Sequence, residues 1–145
     1  MRRVLIIAAA IVVFAAISLV LARWLSAENA ERHKVTDLLD AQARGDANAM
    51  LDQIDGCVTR PSCLQAVRAN AEDLTDAGPI DIVAYESKTA RSLGSATGAT
   101  RVVWRSPDRL PTVQCVEIKR TGNVLTGPSV TVTGLSEPIE SESPC

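Results

Sequence analysis

Four cysteines and a single histidine are the side chains of this sequence best suited to specialised chemistry, and their spacing restricts that chemistry. Five residues separate Cys57 from Cys63, 51 separate Cys63 from Cys115, and 29 separate Cys115 from Cys145. The first pair, Cys57-Val-Thr-Arg-Pro-Ser-Cys63, is not the C-x-x-C of a thioredoxin-like centre, and no βαβ pattern surrounds it. With His33 as the sole histidine, the ligands for a tetrahedral zinc site are too few and too scattered. His33 lies between Arg32 and Lys34 in a charged helical stretch with no assignable nucleophile, and it reads as a solvated side chain. No catalytic residue, cofactor site or metal site is assigned.

An even number of cysteines in a small domain reads as a disulfide framework formed in an oxidising compartment, and four allow three pairings. Cys57 with Cys63 would staple the end of one helix to the start of the next. On the strand expected over 112–121, Val116 and Ile118 share one face, while Cys115, Glu117 and Lys119 share the other. Cys115 therefore points outward, where a returning tail can bring Cys145. The expected pairs are Cys57–Cys63 and Cys115–Cys145.

Three further groups are weaker. Gly94-Ser-Ala-Thr-Gly98 has the small residues of a phosphate-cradling loop but neither the lysine nor the helix that should follow, so it reads as a hairpin turn. Arg101, Arg105, Glu117 and Lys119 form an outward set that cross-strand charge pairing explains as well as a binding patch does. Asp81, Tyr85 and Trp104 are a candidate pocket lining. Tyr85 and Trp104 are also the only aromatics after residue 24, which makes them the natural centre of a core.

The elements that must position these residues begin with an apolar run. Val4–Ala22 is 19 residues with one polar side chain, Ser18, and no charge. As a helix it spans about 28 Å, near the ~30 Å bilayer core, and Arg2, Arg3, Arg23 and Trp24 flank it. The expectation is an uncleaved signal anchor over residues 1–23. A cleaved signal peptide, cut after Val20-Leu21-Ala22, is the alternative. No cysteine precedes Cys57, which excludes a lipid-modified N-terminal cysteine. Flanking charges barely decide the orientation, but all four cysteines follow the run. The N-terminus is therefore expected in the cytoplasm, with an extracytoplasmic domain over 24–135 and an acidic tail over 136–145 at the plasma membrane. Beyond residue 23, twelve bases face seventeen acids, a net charge of −5, which argues against nucleic acid as a partner.

Residues 28–44 place Val35, Leu38, Leu39 and Gln42 on one helical face, with Gly45 suited to end the helix and Asp46 to cap the next, over 46–54. A third helix is expected over 61–74, with Pro61 in its first turn and Ser62-x-x-Gln65 as a capping box. After Gly78-Pro79 the periodicity becomes two, giving strands over 80–92, 99–106, 112–121 and 124–135. Gly127-Pro128 suits a bulge or a sheet edge. Helices first and a meander afterwards predict an α+β fold, with the helices on one face of a four-stranded antiparallel sheet.

That order resembles the nuclear transport factor two-like (cystatin-like) cone. More locally, TARSLGSATGATRVVW (89–104) and LPTVQCVEIKRTG (110–122) resemble a group of uncharacterised, single-span actinobacterial envelope proteins, over about residues 31–135. The resemblance is structural and brings no catalytic motif. Cone enzymes carry an Asp/His or Tyr/Asp pair in their pocket, and no matching pattern occurs here.

The functional expectation is a membrane-anchored, extracytoplasmic, non-catalytic domain that binds a protein or envelope component. The alternatives are a small-ligand carrier or enzyme using the cone's cavity, and a thiol redox-responsive protein.

Overall fold

The computed structural model describes the backbone of residues 2–76, 78–88, 95–123 and 127–145, with the side chains at 2, 5, 23–27, 123, 127 and 128 outside the description. Its elements are α1 (Arg2–Ala43), α2 (Ala47–Gln53), a 3-10 turn (Cys57–Thr59), α3 (Pro61–Asp73), β1 (Asp81–Ser87), β2 (Ser95–Arg105), β3 (Thr112–Asn123) and β4 (Gly127–Leu135). The chain is α+β, and its strands form one antiparallel sheet in the order β1-β2-β3-β4.

The transmembrane span expected over Val4–Ala22 is corrected by the structure. Among the described residues, no helix is long and apolar enough to cross a membrane. Those residues begin a helix that continues unbroken through residue 23 to Ala43. The helix does not stop where the apolar run ends but carries on into Glu28, Glu31, Arg32 and Lys34. Leu5, Arg23 and Trp24, which the expected span and its flanks included, lie outside the described side chains.

The second half of α1 behaves as its periodicity predicts. Val35, Leu38, Leu39 and Gln42 are wholly buried. Gly45 ends the helix at φ +70°, and a Cβ there would stand 2.6 Å from Thr75 Oγ1. Asp46 then caps α2, its carboxylate accepting from the Ala49 amide at 3.0 Å. The Ser62–Gln65 capping box does not form. Arg60 occupies the cap position of α3, and its guanidinium donates instead to the carbonyls of Asp55 and Thr133.

Alternation along the strands sends Val102, Trp104, Val116, Ile118 and Val132 into the core against α1, Met50 of α2 and Val67 of α3. β2 starts at Ser95 rather than 99, because Ser95–Gly98 pair in register with Thr121–Ile118. Backbone pairing needs no large side chain, so the small residues extend the strand instead of turning it. β1 ends at Ser87, Lys88 still donates its amide to the Ala99 carbonyl, and residues 89–92 of the expected strand, with Gly94 of the expected turn, lie outside the described residues. Pro128 sits on β4, an edge strand, where its missing N–H costs no ladder bond.

Residues 136–145 are part of the folded structure. The Ser136 amide donates to the Cys115 carbonyl at 2.9 Å and the Ile139 amide to the Val113 carbonyl at 2.8 Å, so the tail continues along the edge of β3 past the end of β4. It then turns over the outer face of the sheet, where Arg101 donates to the Ser141 carbonyl and Cys145 is bonded to Cys115.

Candidate functional site

The strongest convergence of ionisable groups surrounds Glu31. It sits on the buried stripe of α1, four residues before Val35, and has no exposed surface. Three strands reach it from the sheet. Tyr85 of β1 donates its hydroxyl to Glu31 Oε1 at 2.7 Å, and Thr100 of β2 donates to the same oxygen at 2.8 Å. Arg120 of β3 brings Nε to Oε2 at 2.6 Å and Nη2 to the same oxygen at 2.5 Å. The Arg32 guanidinium lies 5.4 Å from the centroid of the Tyr85 ring.

Burial alone would raise the Glu31 carboxyl. The hydrogen bonds from Tyr85, Thr100 and Arg120, with the Arg120 charge, outweigh it and hold the group below its ordinary value. Tyr85 is displaced the other way. Burial, followed by its bond to Glu31 and that anion's charge, pushes the phenol far above its usual range. Both groups are thus fixed near neutrality, one ionised and one protonated. A carboxylate saturated by four donors is a clasp between helix and sheet, poorly placed to exchange protons.

A second polar network lies deeper. Gln42 of α1 and Gln114 of β3 bond reciprocally at 2.9 and 3.2 Å, and Trp104 Nε1 donates to Gln114 Oε1 at 2.7 Å. Gln114 and Asn70 both donate to the Ser136 carbonyl, at 3.0 and 2.9 Å. The start of the tail is therefore fastened to both α3 and β3.

The structure divides the candidate pocket. Tyr85 and Trp104 face inward, with Trp104 1% exposed. Asp81 lies on the opposite face of β1, where it accepts from Arg105 at 3.0 Å with both side chains more than half exposed. The bulge in β1 between Ile82 and Ala84 explains the separation, because it shifts the alternation that would otherwise put 81 and 85 on one face. Arg101, Arg105, Glu117 and Lys119 share the outer face as expected. Arg101 and Arg105 are each occupied by a β1 acid, Glu86 at 4.0 Å and Asp81. His33 is exposed on α1. The disulfides join Cys57 to Cys63 and Cys115 to Cys145.

An open cleft of about 340 Å³ runs along the solvent side of α1, lined by Lys34, Asp37, Asp40, Arg44 and Gln53. Gln53 Oε1 is buried in its wall with no hydrogen-bond donor among the described residues. Among those residues there is also no cluster of His, Cys, Asp or Glu suited to a metal ion.

The sequence reading missed Glu31 and Arg120. The signals were present: Glu31 falls on the stripe 31, 35, 38, 39 and 42, and Arg120 shares the face of Val116 and Ile118 by strand alternation. A carboxylate and an arginine that both fall on inward faces are candidates for one another.

No family model matches the chain, nor does any curated protein or solved structure.

Proposed function

We propose that this is a non-catalytic, disulfide-bonded extracytoplasmic protein that uses the first half of α1 to bind a protein or cell-envelope component. The observation that carries the reading is the surface of that half-helix. Its large apolar side chains, among them Ile11, Phe14 and Ile17, are 53–73% exposed from Val4 to Leu21. A continuous apolar surface of that length is costly in water and marks an interaction site. The two disulfides support an oxidising compartment. The saturation of Glu31 supports the non-catalytic part.

The test is saturable binding of the full chain to the components of an isolated envelope fraction. Charge substitution at Phe14 and Ile17 should abolish it while leaving the melting of the folded part unchanged. Binding that survives both substitutions would remove α1 from the reading. Turnover of a small substrate that disappears in Tyr85→Phe, with folding intact, would replace it with an enzyme.

The cleft beside α1 supports a second reading, a small polar ligand that donates a hydrogen bond to Gln53 Oε1. Gln53→Leu would remove such binding without touching the α1 surface.

A further inference from the structure

We propose that Cys115–Cys145 is an exchangeable disulfide, opened by a thiol or dithiol reductant, whose opening frees residues 140–145 from the outer face of the sheet and presents Cys115 beside Arg101. This does not depend on what α1 binds.

The two disulfides differ in the features that govern exchange. Cys57 is wholly buried and belongs to the hydrophobic core, and Cys63 is half-buried, with Arg60 Nη2 3.8 Å from its sulfur. Attack on that pair is confined to the half-buried Cys63, with the wholly buried Cys57 as the leaving group. Cys145, in contrast, is exposed, and Cys115 is half-buried on the outer face. Attack is therefore favoured at Cys145, with Cys115 as the leaving group.

The leaving sulfur has a cation opposite. Arg101 of β2 and Cys115 of β3 are direct register partners on one face, and a cationic neighbour stabilises a thiolate. The Arg101 side chain is only 15% exposed, so solvent screens it incompletely. Acids also surround Cys115, and the same face of β3 carries Lys119 four residues farther along. Glu86 lies 4.0 Å from Arg101 across β1. Glu117, two residues along β3, lies over Gly134 on the β4 side, where a Cβ would meet its Oε2 at 2.7 Å. The tail carries Glu137, Glu140 and Glu142, and the last two leave with the released segment. Arg101 is the group that remains opposite the sulfur.

In the balanced reaction, a reductant thiolate forms a mixed disulfide with Cys145 Sγ as the Cys115–Cys145 bond breaks, and Cys115 departs as a thiolate that takes up a proton. A second reductant thiol resolves the mixed disulfide. The sum is one protein disulfide and two thiols giving two protein thiols and one reductant disulfide.

The structure also marks where release stops. Ser136 is held through its amide, hydroxyl and carbonyl, and Ile139 through its amide. Beyond Ile139, the described attachments to the sheet are the disulfide and the bond from Arg101 to the Ser141 carbonyl.

The test treats the full chain with graded dithiothreitol under native conditions, followed by alkylation and peptide mapping. Cys115 and Cys145 should be labelled at least tenfold faster than Cys57 and Cys63. Amide exchange should then rise at Ser143, whose N–H is bonded to the Glu140 carbonyl within 140–145, while Ser136 and Ile139 stay protected. In Cys145→Ser, the alkylation of Cys115 should titrate below the ~8.5 of an ordinary thiol, and adding Arg101→Gln should move the midpoint up while Arg101→Lys should not. Equal labelling of the two disulfides would overturn exchangeability. Unchanged exchange at Ser143 would overturn release, and a midpoint indifferent to Arg101→Gln would overturn the role of the cation.

Discussion

Glu31 and Arg120 are 89 residues apart in the chain and meet at 2.6 Å, joining the helix to the third strand of the sheet. The carboxylate is fully buried, whereas the guanidinium side chain keeps 22% of its surface exposed. That asymmetry determines what happens when either partner is removed.

Glu31→Gln should destabilise the fold by about 3 kcal/mol, the lower end of the range for breaking a buried pair, because Arg120 retains some access to water. Arg120→Gln should cost at least as much, since it strands the more deeply buried charge. The double variant should lose less than the sum of the two. Denaturant unfolding of all four proteins measures the coupling, and strict additivity would show that the two side chains are energetically independent.

Stability should fall in acid. The Glu31 carboxyl titrates below its ordinary value in the folded chain, so the unfolded chain takes up a proton at higher pH than the folded one. The contribution is complete above the unfolded carboxyl range, near pH 4.5, and is lost as pH falls through the folded value. Melting temperatures between pH 7 and 3 should show a decline below about 4.5 that is shallower in Glu31→Gln. Identical profiles would mean that other carboxyls govern acid unfolding.

Trp104→Ala should cost roughly 3–5 kcal/mol, the range for deleting a buried large aromatic. Trp104 is 1% exposed and also supplies the indole donor to Gln114 Oε1, so the substitution leaves both a cavity and a weakened amide pair. Trp104→Phe should recover much of the packing loss but not the hydrogen bond. Chemical denaturation of both variants separates the two effects.

His33→Ala should change stability by less than about 0.5 kcal/mol and leave envelope binding unaltered, as expected of an exposed helical position. Loss of a biological phenotype in a stably folded His33→Ala protein would move the search for a site to the exposed face of α1.

The fold was legible wherever periodicity carried the information. Leu38, Leu39 and Gln42 repeat at helical spacing, and Val116 and Ile118 alternate with Cys115 and Glu117, so the faces could be read directly. The same alternation placed Cys115 outward and made Cys145 its natural partner. Boundaries resting on turn chemistry were less secure. The small residues 95–98 look like a turn, yet β3 offers them a complete set of backbone partners. No helix breaker divides Val4–Ala22 from Val35, and the apolar run and the amphipathic stretch form one helix. The Glu31 cluster was hidden for another reason. Its members come from four elements, and only the tertiary arrangement shows that a carboxylate on a helical core stripe has donors waiting in the sheet.

The Cys115–Cys145 bond also determines how the molecule responds to backbone damage. All of β4 lies between these cysteines in the sequence, 30 positions apart, so any single cut from residue 116 to residue 144 leaves two fragments that remain covalently joined. The severed strand cannot diffuse away, and it re-pairs with β3 at the high local concentration imposed by the link. Clipped and intact molecules would therefore migrate together until reduced. A protease acting on the β3–β4 connection thus produces a nicked but assembled protein, and only thiol chemistry turns that nick into loss of the edge strand.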